Sequence, residues 1–105
     1  MSSELKLREE RLDGSIGVFI SGEVDIYTSQ ELKDKLYDIV ESYKLDLRID
    51  CKGLNYIDST GLGILVGALK CAKQYDKKIY ISNLRDNIKK LFIITGLDKV
   101  FIIEE

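Results

Sequence analysis

Asp58-Ser59-Thr60-Gly61-Leu62-Gly63 gathers a carboxylate, two hydroxyls and two glycines at one point of the chain. There an alternating apolar run, Leu45 to Cys51, gives way to a helical one, Leu62 to Tyr75. An oxygen at a helix start can accept one of the unpaired first-turn N–H groups, and the positive end of the helix dipole holds a phosphate by the same forces. In the plainer reading Asp58 or Ser59 is a cap, contributing about 0.5–2 kcal/mol. Two glycines in the first helical turns weigh against a purely stabilising role, because each costs about 1 kcal/mol of helix propensity. That cost is intelligible where backbone must come close to another molecule. Both readings stand on the residues alone.

Other phosphate chemistry fits less well. The GxxxxGK[ST] pattern of phosphate-loop enzymes is absent, and no lysine follows Gly61 or Gly63. Asp50 ends a strand-like run, as a phospho-accepting aspartate would, but that chemistry wants an acidic pair after an early strand to hold magnesium. Glu23 and Asp25 imitate the pair only from behind a glycine. The chain has no histidine, which removes Ser–His activation and the commonest metal ligand. No catalytic residue, metal site or cofactor is therefore expected.

These residues must be held by one domain, 1–105, a length that supports a single core. The formal net charge of −2 argues against nucleic acid, which needs a basic patch. No apolar stretch reaches membrane-spanning length, and Met1-Ser2-Ser3-Glu4 lacks the features of a signal peptide, so a cytoplasmic protein is expected. Cys51 and Cys71 lack CxxC spacing and sit in apolar patterns, which reads as reduced core thiols.

Leu5 to Leu12 suggests a strand, turned by Asp13-Gly14 into a second strand, Ser15 to Ser21. Gly22 to Tyr27 reads as a loop. Thr28 or Ser29 then starts a helix, Thr28 with Glu31 fitting the capping box, and Leu32, Leu36, Ile39, Val40 and Tyr43 line its inner face. Leu45 to Cys51 alternates with period two, Lys52 to Ile57 reads as a loop, and a second helix runs from Ser59 to about Tyr75. Ile79 and Ile81 mark a strand. A third helix opens at Leu84-Arg85-Asp86, turns Ile88, Leu91, Phe92 and Thr95 inward and stops at Gly96, and Val100 to Ile103 closes the chain as a strand.

The order β-β-α-β-α-β-α-β implies an α/β fold with a mixed, largely parallel sheet. Sites in such sheets gather at the carboxyl ends of the parallel strands. That edge should bring Gly22–Tyr27, Lys52–Asp58 and Asn83–Asp86 together, with Asp25 near Ser59.

Three motifs carry a family resemblance. Ile57 to Val66 resembles the signature of the STAS domain in its small bacterial anti-anti-sigma form. Ser21-Gly22-Glu23-Val24-Asp25-Ile26-Tyr27-Thr28 resembles that family's loop into the first helix, and Lys90 to Leu97 its third helix and following turn. They occur in the family's order and spacing across nearly the whole chain. The resemblance implies an anti-sigma factor antagonist of the general-stress type, whose phosphorylated residue transfers to Ser59. Its unmodified form would bind an anti-sigma factor that is also a serine kinase, phosphorylation would end that binding, and a serine phosphatase would restore it. Asp25, Tyr27, Asp58, Ser59, Thr60, Gly61, Leu62 and Gly63 would form the partner surface, although Tyr27, Leu62 and Tyr56 could equally be core. Ser59 is then a substrate rather than a catalyst. A STAS scaffold or sensor subunit served by a different kinase, and a small phosphate- or nucleotide-binding enzyme, are the alternative readings.

Overall fold

The computed structural model describes residues 4–104. Strands β1 (Leu5–Leu12), β2 (Ser15–Val24), β3 (Asp46–Ile57), β4 (Ile79–Ser82) and β5 (Ile102–Glu104) form one sheet in sequential order. β1 is antiparallel to β2 and every other neighbouring pair is parallel, which makes the mixed sheet that the alternating elements imply. Asp13-Gly14 does turn the first hairpin, with Leu12 opposite Ser15 and Gly14 at φ +77°.

Helices α1 (Ser29–Tyr43), α2 (Ser59–Lys73) and α3 (Asp86–Ile94) carry the crossovers. Leu32, Leu36, Ile39 and Val40 of α1 meet Leu65, Ala68, Leu69 and Ala72 of α2 over Val18, Ile20, Leu47, Ile49 and Cys51 of the sheet, all buried. Ile88 and Phe92 of α3 join the same core, Phe92 lying edge-on to Phe101 with ring centroids 5.9 Å apart. Burial of these side chains is the main favourable term opposing the entropy of ordering the chain.

The other sheet face stays polar. Arg8 stacks 4.0 Å over the Phe19 ring, and Arg48 lies 4.1 Å over Tyr80 while pairing with Glu104 at 3.0 Å. Each guanidinium covers an aromatic ring on that face.

Two strands run further than their alternation suggests. β2 continues past Ser21 to Val24, and β3 continues past Cys51 to Ile57, so Lys52–Ile57 is strand and not loop. The register shifts between Phe19 and Ser21 and between Gly22 and Glu23. β3 accordingly buries Leu47, Ile49 and Cys51 at spacing two, then Leu54 and Ile57 at spacing three. A bulge removes the period-two signal without ending the pairing. Gly22, at φ +100°, is required here, because a Cβ would lie 2.2 Å from the Glu4 carbonyl oxygen.

Three smaller differences follow from packing. α2 stops at Lys73 and leaves Tyr75 outside it, and β5 is Ile102–Glu104 and not Val100–Ile103. α3 starts at Asp86, and only Ile88 and Phe92 of its expected inner set are buried. Leu91 and Thr95 are exposed, and the Thr95 hydroxyl donates back to the Leu91 carbonyl at 2.6 Å. Gly96 does terminate the helix, at φ +76°.

Candidate functional site

The extended ends of β2 and β3 bring the site together. Val24 pairs with Ile57 in the sheet, and the Asp58 N–H donates to the Val24 carbonyl at 3.2 Å. Asp25 and Asp58 therefore leave the sheet side by side, the first leading into α1 and the second into α2. This register places Asp25 and Ser59 on one edge of the sheet.

At α2 the cap is Asp58. Its backbone is extended, and its carboxylate accepts the Gly61 N–H at 3.1 Å while its carbonyl accepts the Leu62 N–H at 3.0 Å. Ser59 is thus the first helical residue and takes no part in the cap. Its side chain and that of Thr60 are exposed. The N–H groups of Ser59 and Thr60 have no hydrogen-bond partner among the described residues. An exposed hydroxyl beside unpaired N–H groups, at the positive end of a 15-residue helix, can carry an added anion at little cost to the fold.

The two glycines of the motif do different things. Gly61 is buried, and a Cβ there would come within 2.6 Å of both Val24 and Ile57, so this glycine seats α2 against the paired strand ends. A Cβ on Gly63 would meet nothing within 4 Å, and that side of the helix is open. Leu62 is core, so it offers no exposed contact area.

At α1 the arrangement is reversed. Thr28 is buried and its hydroxyl does not cap the helix, so the capping box with Glu31 does not form. The hydroxyl instead donates to the Glu23 carbonyl at 2.8 Å and accepts the Asp25 N–H at 3.0 Å. Asp25 accepts the Tyr27 N–H at 2.8 Å and the Thr28 N–H at 3.2 Å on one carboxylate oxygen. The loop has consumed the hydroxyl that its sequence offered to the helix.

This clamp pushes two apolar side chains outward. Tyr27 is 81% exposed and Ile26 is 66% exposed, while Tyr56, paired with Glu23 on the next strand, is 48% exposed. Ile26 was not singled out by its sequence. The available signal was an apolar residue in a loop, out of step with every periodic stripe around it.

No group of His, Cys, Asp or Glu among the described residues could hold a metal ion, and no helix among them is long and apolar enough to cross a membrane. Cys51 is a core residue whose thiol is pushed up to about 12, first by burial and then by the neighbouring Asp50. It stays protonated and unreactive at neutral pH.

The family model described as "Mlab, STAS domain" matches residues 7–104. The chain belongs to the STAS domain family. It is 40% identical over 88 residues to the anti-sigma-B factor antagonist of Staphylococcus aureus (strain NCTC 8325 / PS 47), covering 84% of this chain and 82% of that one. Among solved structures, an anti-sigma factor antagonist from Mycobacterium paratuberculosis superposes with a TM-score of 0.82 at 25% identity, covering 95% and 85% of the two chains. The Bacillus cell fate determinant SpoIIAA in its phosphorylated form shares the fold, with a TM-score of 0.74 at 16% identity and coverage of 95% and 92%. The Asp58–Gly63 turn and the clamped Glu23–Thr28 loop are thus this STAS domain's features at the sheet edge where its two longest crossovers begin.

Proposed function

We propose that this STAS protein is an anti-sigma factor antagonist switched by phosphorylation of Ser59. Unphosphorylated, it binds an anti-sigma factor that is also a serine kinase, and the sigma factor is released. The kinase then transfers the γ-phosphoryl group of ATP to the Ser59 hydroxyl, whose proton leaves to a base of the kinase, and the complex dissociates. A serine phosphatase hydrolyses the phosphoester and returns the protein to its binding form. The cytoplasm, where sigma factors act, is the expected compartment. The single observation that carries this reading is the division of labour at α2: Asp58 holds the cap, and the Ser59 hydroxyl is left exposed.

The relatives' names support the partner class, and the electrostatics support the switch. Phosphorylation adds about −1.5 to −2 charges at neutral pH. The group sits at a helix N-terminus, so the domain stays folded. It also sits beside Asp58 and near Asp25, on a surface the partner must dehydrate. A hundredfold loss of affinity needs only about 2.7 kcal/mol. A strongly hydrated dianion at the centre of a fitted interface supplies that. Thr60 supports the turn and is not the acceptor in this reading. The protein contributes no catalyst, so ATP, metal ion and general base belong to the kinase.

The test is incubation with the anti-sigma factor kinase of the source organism and ATP, followed by mapping of the modified residue by mass spectrometry. Phosphate on Ser59, abolished in Ser59→Ala while that variant still binds the kinase, is the expected result. Turnover of nucleotide by this protein without a kinase, lost in Ser59→Ala, would favour the enzyme reading.

A further inference from the structure

An isoleucine and a tyrosine on a loop tip cost the isolated protein solubility and give it no core packing. A mobile loop would let such side chains fold back onto the surface, but this loop is tied. Asp25 and Thr28 hold Glu23, Asp25, Tyr27 and Thr28 through four hydrogen bonds of 2.8–3.2 Å. Ile26 and Tyr27 are therefore displayed in one geometry, with their ordering entropy already spent. The exposed Ile93 and Ile94 differ, since they lie at the far end of α3, away from the joined ends of β2 and β3.

The displayed pair is continuous with the switch. Glu23 lies opposite Tyr56 and Val24 opposite Ile57, so Ile26, Tyr27, Tyr56 and Ser59 all lie at the joined ends of β2 and β3. The surround is acidic: Glu23, Asp25 and Asp58 come from those strand ends, and Glu31 from the first turn of α1. The cations stand back from these strand ends: Lys6 opposite Ser21 on β1, Lys52 further back along β3, and Arg85 beyond β4, where its side chain donates to the Lys52 carbonyl at 3.3 Å. Tyrosine is over-represented among residues that dominate binding energy when seated in a dry pocket.

We infer that Ile26 and Tyr27 are the apolar anchor of the docking surface. They seat in a socket of the kinase partner that is apolar at its floor and lined with arginine or lysine at its rim. This deepens the proposed function and rests on it. Asp25 acts through the anchor as a positioning residue, by pinning the Tyr27 and Thr28 N–H groups. The anchor supplies affinity and Ser59 gates it, so the two should separate in kinetics.

Calorimetric titration of the full chain with the anti-sigma factor kinase of the source organism, and steady-state phosphorylation by it, test the inference. Ile26→Ser with Tyr27→Ala should weaken binding by about thirtyfold or more and raise KM, leaving kcat within about twofold. Tyr27→Phe should bind like the parent. Ile94→Ser, at an 84% exposed position on α3, should do the same. Both altered residues are exposed, so the thermal unfolding midpoint of each variant should match the parent's. Binding of the double variant within about threefold of the parent overturns the anchor, as does an equal loss in Ile94→Ser. If the parent binds and is phosphorylated at Ser59 while the double variant is unaffected, only the anchor falls. If the parent itself neither binds nor is phosphorylated, the function proposed above falls, and the anchor with it.

Discussion

α1 and α2 begin on the same sheet edge, and each is led by a hydroxyl pair and an aspartate. Thr28-Ser29 and Ser59-Thr60 are close in composition and opposite in use. Thr28 and Ser29 are buried, and the Thr28 hydroxyl is spent on the Glu23 carbonyl and the Asp25 N–H. Ser59 and Thr60 are exposed, because Asp58 has taken the cap. The same residue types thus yield a structural tie at one helix start and an exposed hydroxyl at the other. What separates them is where the aspartate sits. Asp25 stands three positions before Thr28 and organises a loop, whereas Asp58 stands immediately before Ser59 and relieves it of any structural duty.

The comparison can be broken most severely at Gly61, the residue that seats the second helix start. Gly61→Val should destabilise the fold by about 3 kcal/mol, since even the first added carbon meets Val24 and Ile57 at 2.6 Å. Gly63→Ala, in open space two residues on, should raise stability by about 1 kcal/mol through helix propensity. Denaturant titration of the two variants reads both signs, and a shared sign would mean the two glycines are not divided as described.

The hydroxyls themselves give the next contrast. Thr28→Val keeps the shape but leaves the Glu23 carbonyl and the Asp25 N–H without their partner, at a cost of about 1–2 kcal/mol. Asp58→Ala should cost about 1 kcal/mol as the α2 cap is lost. Ser59→Ala should change stability by less than about 0.5 kcal/mol. Chemical denaturation midpoints check the series, and a Ser59→Ala loss as large as that of Thr28→Val would place Ser59 among the structural residues.

Much of this was readable in the chain, and the failures have physical causes. Asp13-Gly14 marked the hairpin because few dipeptides accept that turn, and Gly96 marked the end of α3 because its left-handed backbone favours glycine. The stripe Leu32, Leu36, Ile39 and Val40 marked α1 because one face of it is wholly buried. The site's edge was harder. Ser21–Val24 and Lys52–Ile57 are strands whose bulges remove the alternation, and their pairing is decided by the partner strand, which no local pattern records. Thr28 fitted a capping box, yet the loop's own polar groups competed for its hydroxyl and won. Leu91 and Thr95 matched the inward period of α3, but a helix of nine residues beside a three-residue strand has little core to face. Ser59 was legible as a candidate, while its freedom from the cap became visible only when Asp58 was seen to hold Gly61.

The most direct measurement compares the affinity of the anti-sigma factor kinase for the unmodified protein and for protein phosphorylated at Ser59, in the same buffer. The account predicts an intact fold in both forms and an affinity at least about a hundredfold lower for the phosphorylated one. Equal affinity for the two forms would contradict it, because the exposed hydroxyl at the start of α2 would then gate nothing.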